Sequence, residues 1–285
     1  MTETPGVTET RARPARRRPN RLVRVLVWLA LRIVPVPLVI VLWEVLARRA
    51  DDISYPPPTQ IVHAMRAMWL GGPASHLWLG PGALDNVPGS VERLLTAWVL
   101  AGVAGVLGGL ALGRSRRLYG YVRPLIHFGY AIPPIMLLPF FLALFGGGTS
   151  MQLGTILFGI VWPVLLNSAE GARSVDPTQL EIARVFRFSA AQRIGRVLLP
   201  SAAPKIFAGL RVSLSLALIL MVVSEMKGST SGIGFQLLDE QRNFDNPGVW
   251  GGIVLLGVLG TLLNALFGLA ERRVLAWHDA SGGTS

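Results

Sequence analysis

Residues 124–169 contain no Asp, Glu, Lys or Arg, and this uncharged run constrains the fold more than any motif in the chain. Its only titratable side chains are His127 and Tyr130. A helix needs about 20 apolar residues to cross the hydrocarbon core of a bilayer, so the run has room for two crossings. Two further uncharged runs, residues 94–113 and 247–270, are each long enough for one. Only 15% of the 285 residues are charged, against about a quarter in a soluble domain. Mean hydropathy is +0.50. A surface this poor in charge needs lipid as its solvent, which predicts an all-α, polytopic bundle in a membrane.

The remaining composition removes whole classes of chemistry. Cysteine is absent, so disulfides, thiolate catalysis and thiolate metal sites are excluded. His63, His76, His127 and His278 are scattered without ligand-like spacing, and no metal site is expected. The net charge of +11 is concentrated at the start, in Arg11, Arg13, Arg16, Arg17, Arg18, Arg21 and Arg24. Ahead of an apolar segment, such a cluster is read as cytoplasmic retention rather than as a nucleic-acid site. No small-residue cleavage site follows and further apolar segments do, so a secretory signal is not the reading. Residues 1–24 are expected to form a disordered basic tail, 25–275 the membrane domain, and 276–285 a short cytoplasmic tail.

About six spans are expected, at 25–47, 94–112, 125–145, 153–168, 206–226 and 249–270. Arg32 and Glu44 interrupt the first, and interfacial placement costs them least. In the second, Gly105, Gly109 and Gly113 recur every fourth residue and make a smooth face. That face suits packing inside the subunit better than a contact between subunits. Pro133, Pro134 and Pro139 interrupt the third span, as a plain kink or as a broken helix beside a solute pathway. Counting Lys and Arg in the connections puts both termini in the cytoplasm. The 113–124 and 169–206 loops are basic, while Asp51, Asp52, Asp85, Asp239, Glu240 and Asp245 fall on the opposite side with Arg93 and Lys227.

The 170–205 loop is polar enough to be a structure of its own. Asp176 can cap a helix beginning at Pro177, with Gln179 completing a capping box. Ser189 and Gln192 can do the same for a second helix that Pro200 would end, and Ser201 with Pro204 would start the next. Leu180, Ala183 and Phe186 make one apolar stripe, flanked by Glu181 and Arg184. Ile194, Val197 and Leu198 make another. Such a helix–turn–helix can dock in a groove of another protein or rest on lipid headgroups.

The Glu181-Ile182-Ala183 stretch, followed by Ile194, Leu199 and Pro200, resembles the EAA loop of ATP-binding-cassette (ABC) importer permeases. The wider run VDPTQLEIARVFRFS…VLLPSAAPKIFAGLR resembles the nitrate, sulfonate and taurine subfamily. Trp43-Glu44, the Pro-Pro-Pro-Thr at 56–59, Ser90 through Arg93, Ile132-Pro133-Pro134 with Leu138-Pro139, and Gly232-Ile233-Gly234 after Glu225 extend the match. The resemblance implies a type I importer fold and an external solute-binding protein. It also implies a second permease copy or paralogue, and an ATPase subunit that binds ATP and Mg and docks on 177–199. Glu181, Ala183, Arg184, Arg187, Ser189, Leu199 and Pro200 would couple to that motor. The family usually has glycine where this chain has Arg187. If left-handed there, an arginine costs about 1 kcal/mol; otherwise Phe188 or Ser189 absorbs the bend.

No G-x-x-x-x-G-K-[ST] loop exists in the chain, so it is not read as the nucleotidase, nor as an enzyme. An ion-coupled transporter or channel is the alternative. It would need ionisable groups inside the spans, and Glu44 and Glu225 are expected near the outer boundary instead. An intramembrane enzyme would need a catalytic cluster at membrane depth, and none is visible. Pro133, Pro134, Asn167, Ser213 and Ser215 are candidate pathway groups, equally explicable as packing or interhelical hydrogen bonds.

Overall fold

A computed structural model describes residues 34–72 and 80–281, and among these every regular element is a helix. The expected 1–24 tail, Arg32 and the first part of the 25–47 span lie outside the described residues. The chain divides into a first compact unit ending at Asp52 and a second from Ile53 onward. In the first, α1 (Pro35–Ala50) opens on a proline, whose missing N–H the first turn tolerates. Glu44 pairs with Arg48 one turn on.

The second unit contains α2 (Pro58–Trp69), α3 (Pro81–Gly113), α4 (Arg116–Ala131), α5 (Leu138–Phe145) and α6 (Thr149–Arg173). It continues with α7 (Pro177–Val185), α8 (Ala190–Arg193), α9 (Leu199–Gly228), α10 (Ile233–Arg242) and α11 (Asn246–Ser281). Four stretches are long and apolar enough to cross a bilayer: Gly82–Gly113, Thr149–Arg173, Ala190–Gly228 and Asn246–Ala276. The expected third span is the pair Arg116–Ala131 and Pro134–Phe145, bent by 81°. Its bend is at Ile132 and Pro133, both extended with ψ near 119° and 118°. Each precedes a proline, whose ring crowds the preceding residue out of the helical region. Pro139 falls in the first turn of α5, so it interrupts nothing.

Helices α3, α6 and α9 form the core. Leu94, Ala97 and Ala101 meet Ile156 and Ile160 of α6, and Leu214, Ala217 and Met221 of α9. The glycine face of α3 lies against α6. A Cβ on Gly109 would come within 2.6 Å of the Leu165 carbonyl, and one on Gly113 within 2.6 Å of the Ala169 carbonyl. Packing inside the subunit therefore explains the glycines. At this backbone separation dispersion contacts, rather than exclusion of water, hold two helices together in lipid.

Two boundaries differ from expectation. Helix α3 begins at Pro81 rather than near residue 94, so Ser90 and Arg93 lie on a helix and not in an outer loop. At 1.5 Å per residue its 33 residues reach about 50 Å, well beyond the roughly 30 Å hydrocarbon core. Pro200 does not end the second loop helix. Between α8 and α9 the backbone widens into a π turn, Ile194–Leu198, in which Leu199 N–H reaches back five residues to the Ile194 carbonyl. A wide turn accommodates a ring that would otherwise strike the carbonyl four residues back, so α8 runs directly into the fifth span.

Candidate functional site

Both loop helices are set by local chemistry. The Asp176 carboxylate accepts the Thr178 N–H at 2.8 Å and Pro177 occupies the first turn. Gln179 does not complete a capping box; its Oε1 accepts the Ser201 hydroxyl at 3.3 Å and ties α7 to α9. At Ser189 the box is complete. Its Oγ accepts Gln192 N–H at 3.3 Å, and the Gln192 side chain accepts Ser189 N–H at 2.8 Å.

Between the two, Phe188 N–H bonds the Ala183 carbonyl and Arg187 N–H the Arg184 carbonyl, each at 2.9 Å. This is the Schellman pattern, and it places Arg187 at φ 53°, the left-handed region. Arg187 itself absorbs the bend; Phe188 and Ser189 do not.

Helix α7 has two apolar faces. Ala183, 2% exposed, and Leu180 face inward; Leu180 packs on the cluster of Leu110, Ala172, Val175, Leu198, Ala202 and Ile206. Phe186 does not share that stripe. It joins Ile182 and Val185 on the outer face, where the three are 71%, 51% and 80% exposed. The i, i+3, i+4 spacing aligns them on one side of the helix, so three large apolar side chains stand together in the open. Sequence reading missed Ile182 and Val185 because both stripes satisfy the same helical period. Glu181, Arg184, Arg187 and Ser189 are exposed polar groups, Arg184 on the side of Leu180; Leu199 is 43% exposed, and Pro200 is half-buried.

A second polar structure closes the opposite end of the core. The Glu225 carboxylate on α9, 1% exposed, accepts the Ser90 hydroxyl at 2.7 Å and Gly234 N–H at 2.9 Å. Arg93 Nη2 lies 3.2 Å from it. Arg93 also donates to Gln152 Oε1 at 2.8 Å and to the Gly89 carbonyl at 2.8 Å. Gly232 N–H donates to Asn86 Oδ1 at 2.8 Å, and Ile233 N–H to Ser90 Oγ at 2.9 Å. Gly232 has φ +121°, and a Cβ there would stand 2.5 Å from the Glu225 carboxyl carbon. Arg93 was expected in a loop and lies on α3 instead; Glu225 lies near the end of its span, three residues before the end of α9, and the two form a buried, fully engaged pair. A carboxylate so saturated with donors is a structural group rather than a free proton carrier.

The corner beyond α10 ends in a second Schellman cap. Phe244 sits at φ 58°, with Phe244 N–H on Gln241 and Asp245 N–H on Glu240. Burial, then the neighbouring Asp245, raises the Glu240 carboxyl above its ordinary range.

The pathway candidates are scattered. Pro133 is exposed at the bend, while Pro134 is half-buried and packs close to Gly159. Asn167 Nδ2 bonds the Pro163 carbonyl at 2.8 Å. Ser213 is buried; its hydroxyl donates to the Leu210 carbonyl at 2.8 Å and accepts Trp98 Nε1 at 3.0 Å. Ser215 is exposed and faces Asn264 at 3.5 Å. Nearby, Arg211 on α9 pairs with Glu271 of α11 at 2.6 Å. No group of three or more His, Asp or Glu residues able to hold a metal occurs among the described residues.

Known proteins resemble this chain in sequence and in fold. The chain is 29% identical over 281 residues to SsuC of Bacillus subtilis (strain 168), a permease protein assigned to aliphatic sulfonates transport; the match covers 98% of this chain and 97% of that one. It is 30% identical over 194 residues to the nitrate import permease protein NrtB of Leptolyngbya laminosa, covering 68% and 70%. The taurine transport system permease protein TauC of Escherichia coli (strain K12) is 27% identical over 232 residues, covering 80% and 82%. In fold, a chain of the MetNI methionine ABC transporter in an inward facing conformation superposes with TM-score 0.57 at 18% identity, covering 65% of this chain and 92% of that one. The model of the binding-protein-dependent transport system inner membrane component matches residues 101–276, a stretch that includes α7, α8 and every apolar span from the second half of α3 onward. With the helical architecture and the exposed loop already in place, the chain belongs to that family and is a membrane-spanning permease subunit of an ABC importer.

Proposed function

We propose that the exposed face of α7 seats in a groove of a separate ABC ATPase, which binds ATP and Mg and drives the permease. The observation that carries this reading is the open cluster of Ile182, Val185 and Phe186 on a helix otherwise anchored by Ala183 and Leu180. Water-exposed apolar side chains on one face of a short helix suit helix-in-groove recognition. Glu181, Arg184 and Arg187 give the rim its charge, and Ser189, Leu199 and Pro200 carry the loop into α9. Both termini are on the cytoplasmic side of a bacterial inner membrane, because the basic connections share the side of this loop.

On the other side a solute-binding protein delivers the solute to a pair of permease subunits, either two copies or two paralogues. The solute is a small anion of the sulfonate, nitrate or taurine kind, a reading supported by the relatives' names. Of the five pathway candidates, Pro133 and Ser215 are the accessible ones; Pro134, Asn167 and Ser213 serve packing and local hydrogen bonds.

The test is co-expression with the partner ATPase. Val185→Asp or Glu181→Arg is expected to abolish co-purification and transport while leaving the permease in the membrane. Normal transport by both variants would remove the docking assignment.

A further inference from the structure

Beneath the coupling loop is a cavity of about 520 Å³ lined by Arg114, Arg116, Arg173, Arg184 and Arg193. These side chains come from four elements: the α3–α4 connection and the start of α4, the end of α6, α7 and α8. No Asp or Glu lines the cavity, and among the described residues none of the five arginines makes an ion pair. Arg173 is held in place with its guanidinium 4.3 Å above the ring of buried Tyr119. Arg193 Nε is buried and has no hydrogen-bond partner. The floor, by contrast, is apolar: Val175, Leu180 and Leu198.

Five like charges around one hollow repel one another, and a buried guanidinium N–H without an acceptor is costly. Both penalties disappear if an oxyanion occupies the hollow. Guanidinium forks match phosphate oxygens, several donors can share one phosphate, and basic pockets at the cytoplasmic ends of spans suit lipid headgroups. We propose that this cavity binds a phosphate-bearing group, which bridges the coupling loop to the cytoplasmic ends of α3 and α6. The same chemistry is offered by an anionic phospholipid headgroup and by soluble phosphate. The apolar floor and the position at the ends of the spans favour the lipid. Arg184 belongs both to the cavity and to the proposed docking rim, so the variants below leave it in place.

The full chain, purified in neutral detergent, is titrated with short-chain phosphatidylglycerol, short-chain phosphatidylcholine or inorganic pyrophosphate, and thermal unfolding is followed by tryptophan fluorescence. Phosphatidylglycerol is expected to raise the midpoint and phosphatidylcholine to leave it unchanged. A rise with pyrophosphate alone supports the site with a soluble ligand. Arg193→Gln and Arg114→Gln should each shift the dose response by about tenfold, the loss expected for one charge-assisted bond. Arg272→Gln, an exposed arginine outside the cavity, should shift nothing. Arg116→Gln keeps the test open should Arg193→Gln not fold. No response to either anion, or the same response in the cavity variants and wild type, overturns the proposal. Variants that respond normally to anions but lose their ATPase would also overturn it, assigning the hollow to an acidic segment of the motor.

Discussion

The connection from α6 to α9 and the connection from α9 to α11 both join spans, and both end a short helix in a Schellman cap on a non-glycine residue. They differ in what they do with incompatible groups. The α9–α11 end takes charge and backbone donors inward, where Glu225 gathers Ser90, Arg93 and Gly234. The α6–α9 connection turns apolar side chains outward, leaving Ile182, Val185 and Phe186 exposed. An inward arrangement satisfies itself within one chain and stiffens it. An outward arrangement is incomplete alone, which is how a surface for a partner differs from a clasp.

The comparison predicts opposite responses to mutation. Largest should be the loss at the clasp: Glu225→Gln leaves Arg93 without its counter-ion and should lower stability by about 3–5 kcal/mol, read as a thermal midpoint in detergent. A loss below about 1 kcal/mol would show that the Glu225 clasp is no more tightly built than the loop. Phe186→Ser should change stability by less than about 0.5 kcal/mol yet weaken ATPase binding by at least about 2 kcal/mol, roughly thirtyfold in a pull-down titration. If stability falls instead, Phe186 packs within the subunit and the contrast fails.

Arg187→Gly should stabilise the loop by about 1 kcal/mol by relieving the left-handed residue, visible as slower hydrogen exchange at Phe188. The smallest effect should be at Glu240. Its folded pKa is raised, so its contribution is fully present below the unfolded value and is lost as pH rises through the folded one. Solvent screening holds this to a few tenths of a kcal/mol, and Glu240→Gln should flatten the pH dependence of exchange around residues 241–249.

Features encoded locally were legible in the sequence. The uncharged runs gave most of the spans, Asp176 and Ser189 gave the helix starts, and the family resemblance marked the turn at 187–189 while leaving open which residue bends. What escaped was long-range or degenerate. Ser90 and Glu225 are 135 positions apart, and no local pattern pairs them. Pro200 ends a helix under ordinary rules; a π turn defeats the rule by moving the carbonyl it would strike. Ile182 and Val185 were missed because a nine-residue helix supports two apolar stripes at one period, and only packing decides which is inside.

That π turn also has a mechanical consequence. Because it removes the break expected at Pro200, residues Ala190–Gly228 form one helical run of 39 residues, about 58 Å long at 1.5 Å per residue. One end of this lever carries the Ser189 capping box, and Glu225 lies near the other. A stroke delivered at the Ser189 end would therefore reach the Glu225 end through the backbone of a single rod, without crossing an intervening joint between helices.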